Sequence, residues 1–263
     1  MKSYILRLFA ALVVSLGLVT LASVAACGSS SASTTGTVVL VHGAWADGSS
    51  WSSITRVLQA RGLKVVTVQL PRTSLADDAA TVTRAIDAQQ GPVLLVGHSY
   101  GGAVITQAGS INKVAGLVYV SAFAPGDNQS ISDLTSPFPK PAWQAGLVPD
   151  EAGFLTLNTD TYLSSFAPDL PKDTSSVLAT AQGPLNARCL TDKVSQAAWK
   201  SKPSWWVYGD QDQIIPAALQ RAEAKEIGAK ITSIAGASHV ALMSQPAAVA
   251  AVILDAARAT GVL

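Results

Sequence analysis

Gly97-His98-Ser99-Tyr100-Gly101-Gly102 directly follows the apolar run Pro92-Val93-Leu94-Leu95-Val96. A short run apolar on both faces reads as a strand buried inside a parallel sheet. The residues from Ser99 to Ala108 read as the start of a helix. One serine is therefore set between glycines at a strand-to-helix turn. The first five residues match G-x-S-x-G, and this context is the one the motif requires. The chain must reverse within a few residues, which forces the serine into an unfavourable backbone conformation and exposes its hydroxyl above the sheet. Gly97 and Gly101 lie two residues to either side, where a Cβ would collide with the opposite arm of the turn. A plain glycine-rich turn does not require both glycines at these spacings. The stretch is read as a nucleophile on a strained elbow.

Outward from the elbow, strand-like and helix-like segments alternate. Strand-like runs occupy 38–41, 63–70, 92–96, 114–120, 204–208 and 230–234. Helical patterns occupy 49–60, 77–89, 99–108, 216–227 and 246–259. In the first of them Trp51, Ile54, Val57 and Leu58 recur at helical spacing, with Gly62 as a stop. The alternation breaks between about 125 and 201, a stretch with several prolines and with Phe138, Trp143, Phe154, Tyr162 and Phe166 but no strand-like run. The expectation is one α/β domain over 37–263: a mostly parallel sheet flanked by helices, with a small helical cap inserted after the strand at 114–120.

A serine hydroxyl needs a base at neutral pH. The chain has three His. His98 adjoins Ser99 and should point away along the turn. His42 ends a strand before Gly43 and reads as a loop organiser. His239, in the loop Gly236-Ala237-Ser238-His239 before the last helix, is the base by elimination. A carboxylate must orient that imidazole, and Asp212 is chosen from Tyr208-Gly209-Asp210-Gln211-Asp212, with Asp210 as the alternative. The order Ser99, Asp212, His239 is the chain order of this type of site. The oxyanion formed on attack needs donors held in advance. The backbone N–H groups of Tyr100 and of Ala44, in the loop after the first strand, are assigned to it. Three His in three roles leave no metal-ligand cluster, and no cofactor is expected. Trp45, Phe123 and Trp143, with the cap aromatics, are expected to line an apolar substrate pocket.

Composition narrows the class. Apolar residues make up 49 % and charged residues 13 % of the 263 residues, enough for a large core and too apolar for a disordered chain. A net charge of +1 shows no nucleic-acid footprint. Residues 1–26, with Lys2 and Arg7 ahead of a largely apolar run, have the layout of a secretory signal. Val24-Ala25-Ala26-Cys27 resembles a bacterial lipobox, so Cys27 is expected to carry lipid. The Gly/Ser/Thr-rich residues 27–36 then form a flexible tether. An exported, lipid-anchored protein of a bacterial cell envelope is the expectation. With Cys27 lipidated, Cys189 stands alone and reads as a structural thiol.

Taken together, VLVHGAW, GHSYGG, GDQDQIIP and GASH resemble the α/β-hydrolase superfamily over essentially all of 37–263. The likeness is greatest to a compact branch that includes plant methylesterases, hydroxynitrile lyases and bacterial pyrethroid-type esterases. The resemblance implies that the acid is the Asp of D-x-x-I-P, which maps onto Asp212, and that the oxyanion donors map onto Ala44 and Tyr100. It also implies that a lyase would carry Thr at Gly43 and Lys at Val240. Their absence favours a serine esterase acting on small to medium apolar esters. A non-catalytic binding module, and a lyase or acyltransferase on the same site, are the alternatives.

Overall fold

The computed structural model describes residues 36–263. The expected signal, Cys27 and nearly all of the expected tether lie outside the described residues. Gly36, the tether's last residue, already belongs to the packed domain: its N–H donates to Val262 O at 3.2 Å.

The chain runs through strands β1 (Thr37–Val41), β2 (Lys64–Thr67), β3 (Val93–His98) and β4 (Val114–Val120). After β4 come three short strands, β5 (Leu147–Pro149), β6 (Phe154–Leu157) and β7 (Leu185–Asn186), then β8 (Ser204–Gly209) and β9 (Lys230–Ile234). Six of them form one sheet in the order β2-β1-β3-β4-β8-β9, with every neighbouring pair parallel. The expected α/β-hydrolase architecture is present, and its main sheet is wholly parallel. Burial on both faces explains the sequence of β3, in which Val93, Leu94, Leu95 and Val96 are all fully buried. Each such side chain contributes roughly 1.5–3 kcal/mol. Helices Ser52–Gln59 and Pro246–Ala259 pack together, as do Leu75–Asp87 and Tyr100–Ala108, and these pairs cover the sheet.

The insertion between β4 and β8 is helical, with Lys172–Ala181 its longest helix. It also carries a feature the sequence reading lacks: β5, β6 and β7 form an antiparallel ribbon. These strands are two to four residues long, too short to show a period of two. Leu155 pairs with Leu185 across the turn Tyr162–Phe166 and the helix Lys172–Ala181, a partnership no local pattern records. Tyr162–Phe166 is a π-helical turn closed by Ala167 N–H on Tyr162 O at 2.9 Å, a form that clusters at functional sites.

In a parallel sheet the C-terminal ends of the strands share one edge, the edge at which such sheets bind ligands. Val41 is in register with Gly97, His98 with Val120, and Gly209 with Ile234. The loops that carry Ala44, Ser99, Asp212 and His239 all leave from that edge.

Candidate active site

Ser99 holds φ +54°, ψ −123° between β3 and the helix Tyr100–Ala108. This is a strained conformation for any residue but glycine. Close approach imposes the neighbouring glycines. A Cβ on Gly97 would overlap the Gly101 backbone, and one on Gly101 would come within 2.7 Å of Val41 O and His42 O. The end of β1 therefore lies directly against the elbow. Gly43 is pressed there too, since a Cβ on it would stand 2.7 Å from Ser99 Cβ.

The Ala44 and Tyr100 N–H groups donate no hydrogen bond among the described residues. Tyr100 N–H is also the first of a helix, where donors are free and the dipole favours an anion. His42 does organise this loop. Its Nε2 accepts Leu70 N–H at 3.0 Å, which leaves the proton on Nδ1 to reach Gly43 O at 2.8 Å. Burial pushes its pKa down to about 4, so it stays neutral.

His239 Nδ1 lies 2.9 Å from Asp212 Oδ2, with both side chains fully buried. Asp212 also accepts Ile214 N–H at 2.8 Å and Ile215 N–H at 2.9 Å on Oδ1, and Gln220 Nε2 at 2.8 Å on Oδ2. Gln220 in turn accepts the indole N–H of Trp206 at 3.2 Å, and Trp206 stacks on Tyr119. Asp210, the alternative acid, faces elsewhere: its Oδ1 accepts Gly236 N–H at 2.7 Å. With Nδ1 engaged, His239 Nε2 is left bare and buried, without a partner among the described residues. A buried polar atom without a partner calls for an explanation, and Nε2 is the ring atom left free to act as an acceptor.

Two contacts to His239 escaped sequence reasoning, one to its main chain and one to its ring. His98 Nε2 donates to His239 O at 3.0 Å, and the two rings lie 4.8 Å apart. Burial holds the His98 pKa well below the usual histidine value. From the cap, the Phe166 ring meets His239 edge-on at 5.2 Å.

A cavity of about 50 Å³ adjoins the site, walled by Trp45, Tyr162, Phe166, Leu178, Leu242 and Met243 among others. It has room for a few waters, against ~300–1,000 Å³ for a typical ligand pocket. His98 and Val240, the chain neighbours of Ser99 and His239, reach its wall; Ser99 and His239 themselves do not. Ser99 is 5 % exposed. Little of the site is open to solvent in this conformation. Trp45 lines the cavity at φ +57° and donates its indole N–H to Leu155 O at 2.9 Å. Trp143 does not line it but packs edge-on against Trp45 and donates to Ile214 O at 2.9 Å. Phe123 does not line it either; its main chain lies over the elbow, with Phe123 N–H donating to Ser99 O at 3.3 Å.

Cys189 is buried 4.0 Å from Asp78 Oδ2, and burial pushes its thiol up to about 12. It is a protonated packing group. No cluster of His, Cys, Asp and Glu suited to a metal occurs among the described residues. Among them, no helix is long and apolar enough to cross a membrane.

The parallel sheet, the elbow and the loops at its edge define an α/β hydrolase, and residues 38–252 match the model of the alpha/beta hydrolase family. The chain belongs to that family. Its curated relatives include the carbendazim hydrolyzing esterase of Nocardioides sp. (strain SG-4G), 31 % identical over 166 residues, covering 58 % of this chain and 67 % of the relative. Norfluorocurarine synthase 2 of Strychnos sp. is 24 % identical over 252 residues, covering 79 % and 90 %. Among solved structures, a pyrethroid hydrolase from Sphingobium faniae JZ-2 superposes with a TM-score of 0.73 at 21 % identity, covering 86 % of this chain and 98 % of that one. Polyneuridine aldehyde esterase superposes at 0.74 and 19 %, covering 84 % and 98 %. The fold is that of the compact branch the motifs resemble, and esterases are among the relatives.

Proposed function

We propose that this protein is a serine carboxylic-ester hydrolase. The observation that carries the reading is the buried Asp212–His239 contact, which leaves Nε2 bare on the strand edge where strained Ser99 sits. Ser99 Oγ attacks the ester carbonyl carbon while His239 Nε2 takes its proton. The oxyanion accepts from Ala44 and Tyr100 N–H, and Asp212 stabilises the imidazolium. As the carbonyl re-forms, the alkoxide leaves with the proton from His239. Water then attacks the acyl-enzyme by the same route and releases the acid.

The apolar side chains grouped beside the site, Trp45, Phe166 and Leu242 among them, favour small to medium apolar esters. Relatives named for hydrolysing carbendazim and pyrethroids support hydrolysis of such molecules. Gly43 argues against cyanohydrin cleavage: the lyase-type Thr would overlap Ser99 Cβ here. Val240, where a lyase would carry Lys, is buried and apolar.

Hydrolysis of p-nitrophenyl acetate and butyrate by the wild type and Ser99→Ala tests the reading. Loss of at least ~10⁴-fold in the variant is expected. Turnover that survives the substitution would show that another group is the nucleophile. No turnover by the wild type would leave a binding module as the better account.

Export and anchoring through Cys27 complete the proposal. They rest on the basic start, the apolar run and Val24-Ala25-Ala26-Cys27. Intact mass of the mature chain from a bacterial host tests them; a mass without acyl chains ends the lipoprotein reading.

A further inference from the structure

Asp169 lies in the cap between the π-helical turn Tyr162–Phe166 and the helix Lys172–Ala181. Its carboxylate reaches down onto the loop that carries His239. Oδ2 accepts Ser238 N–H at 2.8 Å, and Oδ1 accepts the Ser238 hydroxyl at 2.5 Å. The Ser238 oxygen itself accepts Val240 N–H at 3.2 Å. One cap carboxylate thus holds the residue before His239 directly and the residue after it through one hydroxyl. No Lys or Arg pairs with Asp169 among the described residues, so the carboxylate is committed to this loop. Both bonds are charge-assisted, the stronger kind. Three residues upstream, Phe166 from the same cap segment covers the His239 ring.

The site beneath is narrow: Ser99 is 5 % exposed, and the cavity beside it has room for only a few waters. Tyr162 and Phe166 of this segment stand in the wall of the adjoining cavity, so admitting a bulky ester there calls for the segment 162–169 to shift. A shift of the segment 162–169 that carried Phe166 off the imidazole would also draw Asp169 away from Ser238.

We propose that Asp169 is a positioning residue that couples cap closure to the register of His239. With the cap open, the loop 236–240 loses its clamp and His239 is out of register. When the cap closes over bound substrate, the two Ser238 bonds re-form and set the imidazole against Ser99. The proton transfer is thereby confined to a site from which bulk water is excluded. This rests on the serine-hydrolase reading above and adds to it a residue outside the three proposed reacting groups.

The test uses the full chain with p-nitrophenyl acetate and butyrate, comparing wild type, Asp169→Asn, Asp169→Ala, Ser238→Ala and the Asp169→Ala/Ser238→Ala double variant. Asp169→Ala and Ser238→Ala should each lower kcat roughly 10-fold with KM little changed. The double variant should lose clearly less than the product of the two single losses, because both remove the hydroxyl bond the two residues share. Asp169→Asn keeps the shape and one acceptor oxygen, so it should fold normally and retain an intermediate kcat. Hydrogen exchange of the peptide spanning 234–242 should be faster in Asp169→Ala than in the wild type. A raised KM at unchanged kcat would make Asp169 a part of the substrate wall and overturn the coupling. Fully additive losses would also overturn it. A wild-type chain that turns over no ester overturns the hydrolase reading, and this coupling with it. Wild-type kcat in the Asp169 variants overturns the coupling alone.

Discussion

His98 Nε2 donates a hydrogen bond to the main-chain oxygen of His239 at 3.0 Å, across 141 residues of sequence. The residue before the proposed nucleophile thus holds the backbone of the proposed base. The bond requires His98 to carry its proton on Nε2. His98 Nδ1 is then bare and buried without a partner among the described residues. Burial, the largest influence on this ring, keeps it neutral. A protonated His98 would bury a second N–H with nothing to accept it.

Replacing His98 by Leu removes this tie and leaves His239 O unpaired in the interior. A loss of about 1–3 kcal/mol in stability is expected. A fall of roughly 10-fold in kcat should accompany it as the imidazole loses its register. His98→Gln, which can present an amide N–H along a similar path, should recover part of both. Urea unfolding and ester turnover measure the two effects. Full activity in His98→Leu would show that the Asp212 contact alone holds His239 in place.

The carboxylate of Asp212 accepts four hydrogen bonds, from Ile214, Ile215, Gln220 and His239. Asp212→Asn should cost about 10⁴-fold in kcat, because an amide can turn its NH₂ toward Nδ1 and favour the wrong tautomer. Asp210→Asn should cost little, since Asp210 is engaged by Gly236 N–H in the neighbouring loop and not by His239. Gln220→Met removes a donor from the same oxygen that meets His239 and strands the Trp206 N–H. A smaller loss, roughly 10-fold, is expected from it. Equal losses from the two Asp variants would displace Asp212 from its proposed role.

Gly43→Ala tests how tightly the loop after β1 is set against the elbow. The new Cβ would stand 2.7 Å from Ser99 Cβ and 3.0 Å from His98 O. Either the loop or Ser99 must shift by several tenths of an ångström. The Ala44 N–H moves with the loop, so the proposed oxyanion donors lose their spacing. A drop of ~100-fold in kcat/KM is expected, with a melting temperature lowered by only a few degrees. Wild-type turnover in Gly43→Ala would remove the Ala44 N–H from the proposed oxyanion site.

The legible parts of the molecule are those in which chemistry and locality coincide. The inner core strands β1, β3, β4 and β8 stood out as short apolar runs buried on both faces, and the edge strands β2 and β9 by their β-branched residues. The elbow stood out because close backbone approach demands glycine at Gly97 and Gly101, and glycine is visible in a sequence. His239 emerged as a candidate because the chain has only three His to distribute. The supporting contacts were not legible. Gln220 is one polar residue on an amphipathic helix, and nothing in its neighbours marks it as facing Asp212. Asp169 and Ser238 meet 69 residues apart, and each is an ordinary loop residue on its own. Trp143 and Phe123 are large enough for a pocket wall, but size does not reveal which of two apolar environments a ring enters. The ribbon β5-β6-β7 is too short for any periodicity to declare it.

Glu223 sets the pH dependence of stability on the alkaline side. Its Oε2 accepts Ala124 N–H at 2.8 Å where the cap insertion begins, while Oε1 is buried without a partner among the described residues. Burial, opposed only by that one bond, pushes its pKa from the ordinary 4.5 up to about 8. The native state therefore binds a proton that the unfolded chain releases between these values. The contribution is whole below pH 4.5 and is lost as pH rises through 8, at a limiting slope of about 1.4 kcal/mol per pH unit. His42 and His98 act with the opposite sign. Their pKa values are lowered from 6.5, so the unfolded chain binds the extra protons and stability is lost as pH falls below 6.5. Two histidines outweigh one glutamate on the acid side, and Glu223 acts without them above pH 6.5. A stability maximum near pH 6.5 is expected from urea midpoints measured between pH 5 and 9. Glu223→Gln keeps the acceptor for Ala124 and cannot ionise. It should flatten the decline between pH 6.5 and 8 and steepen the limb below pH 6.5, where the wild-type glutamate opposes the two histidines. An unchanged alkaline limb in that variant would show that Glu223 is already ionised at neutral pH, with its free oxygen reached by water.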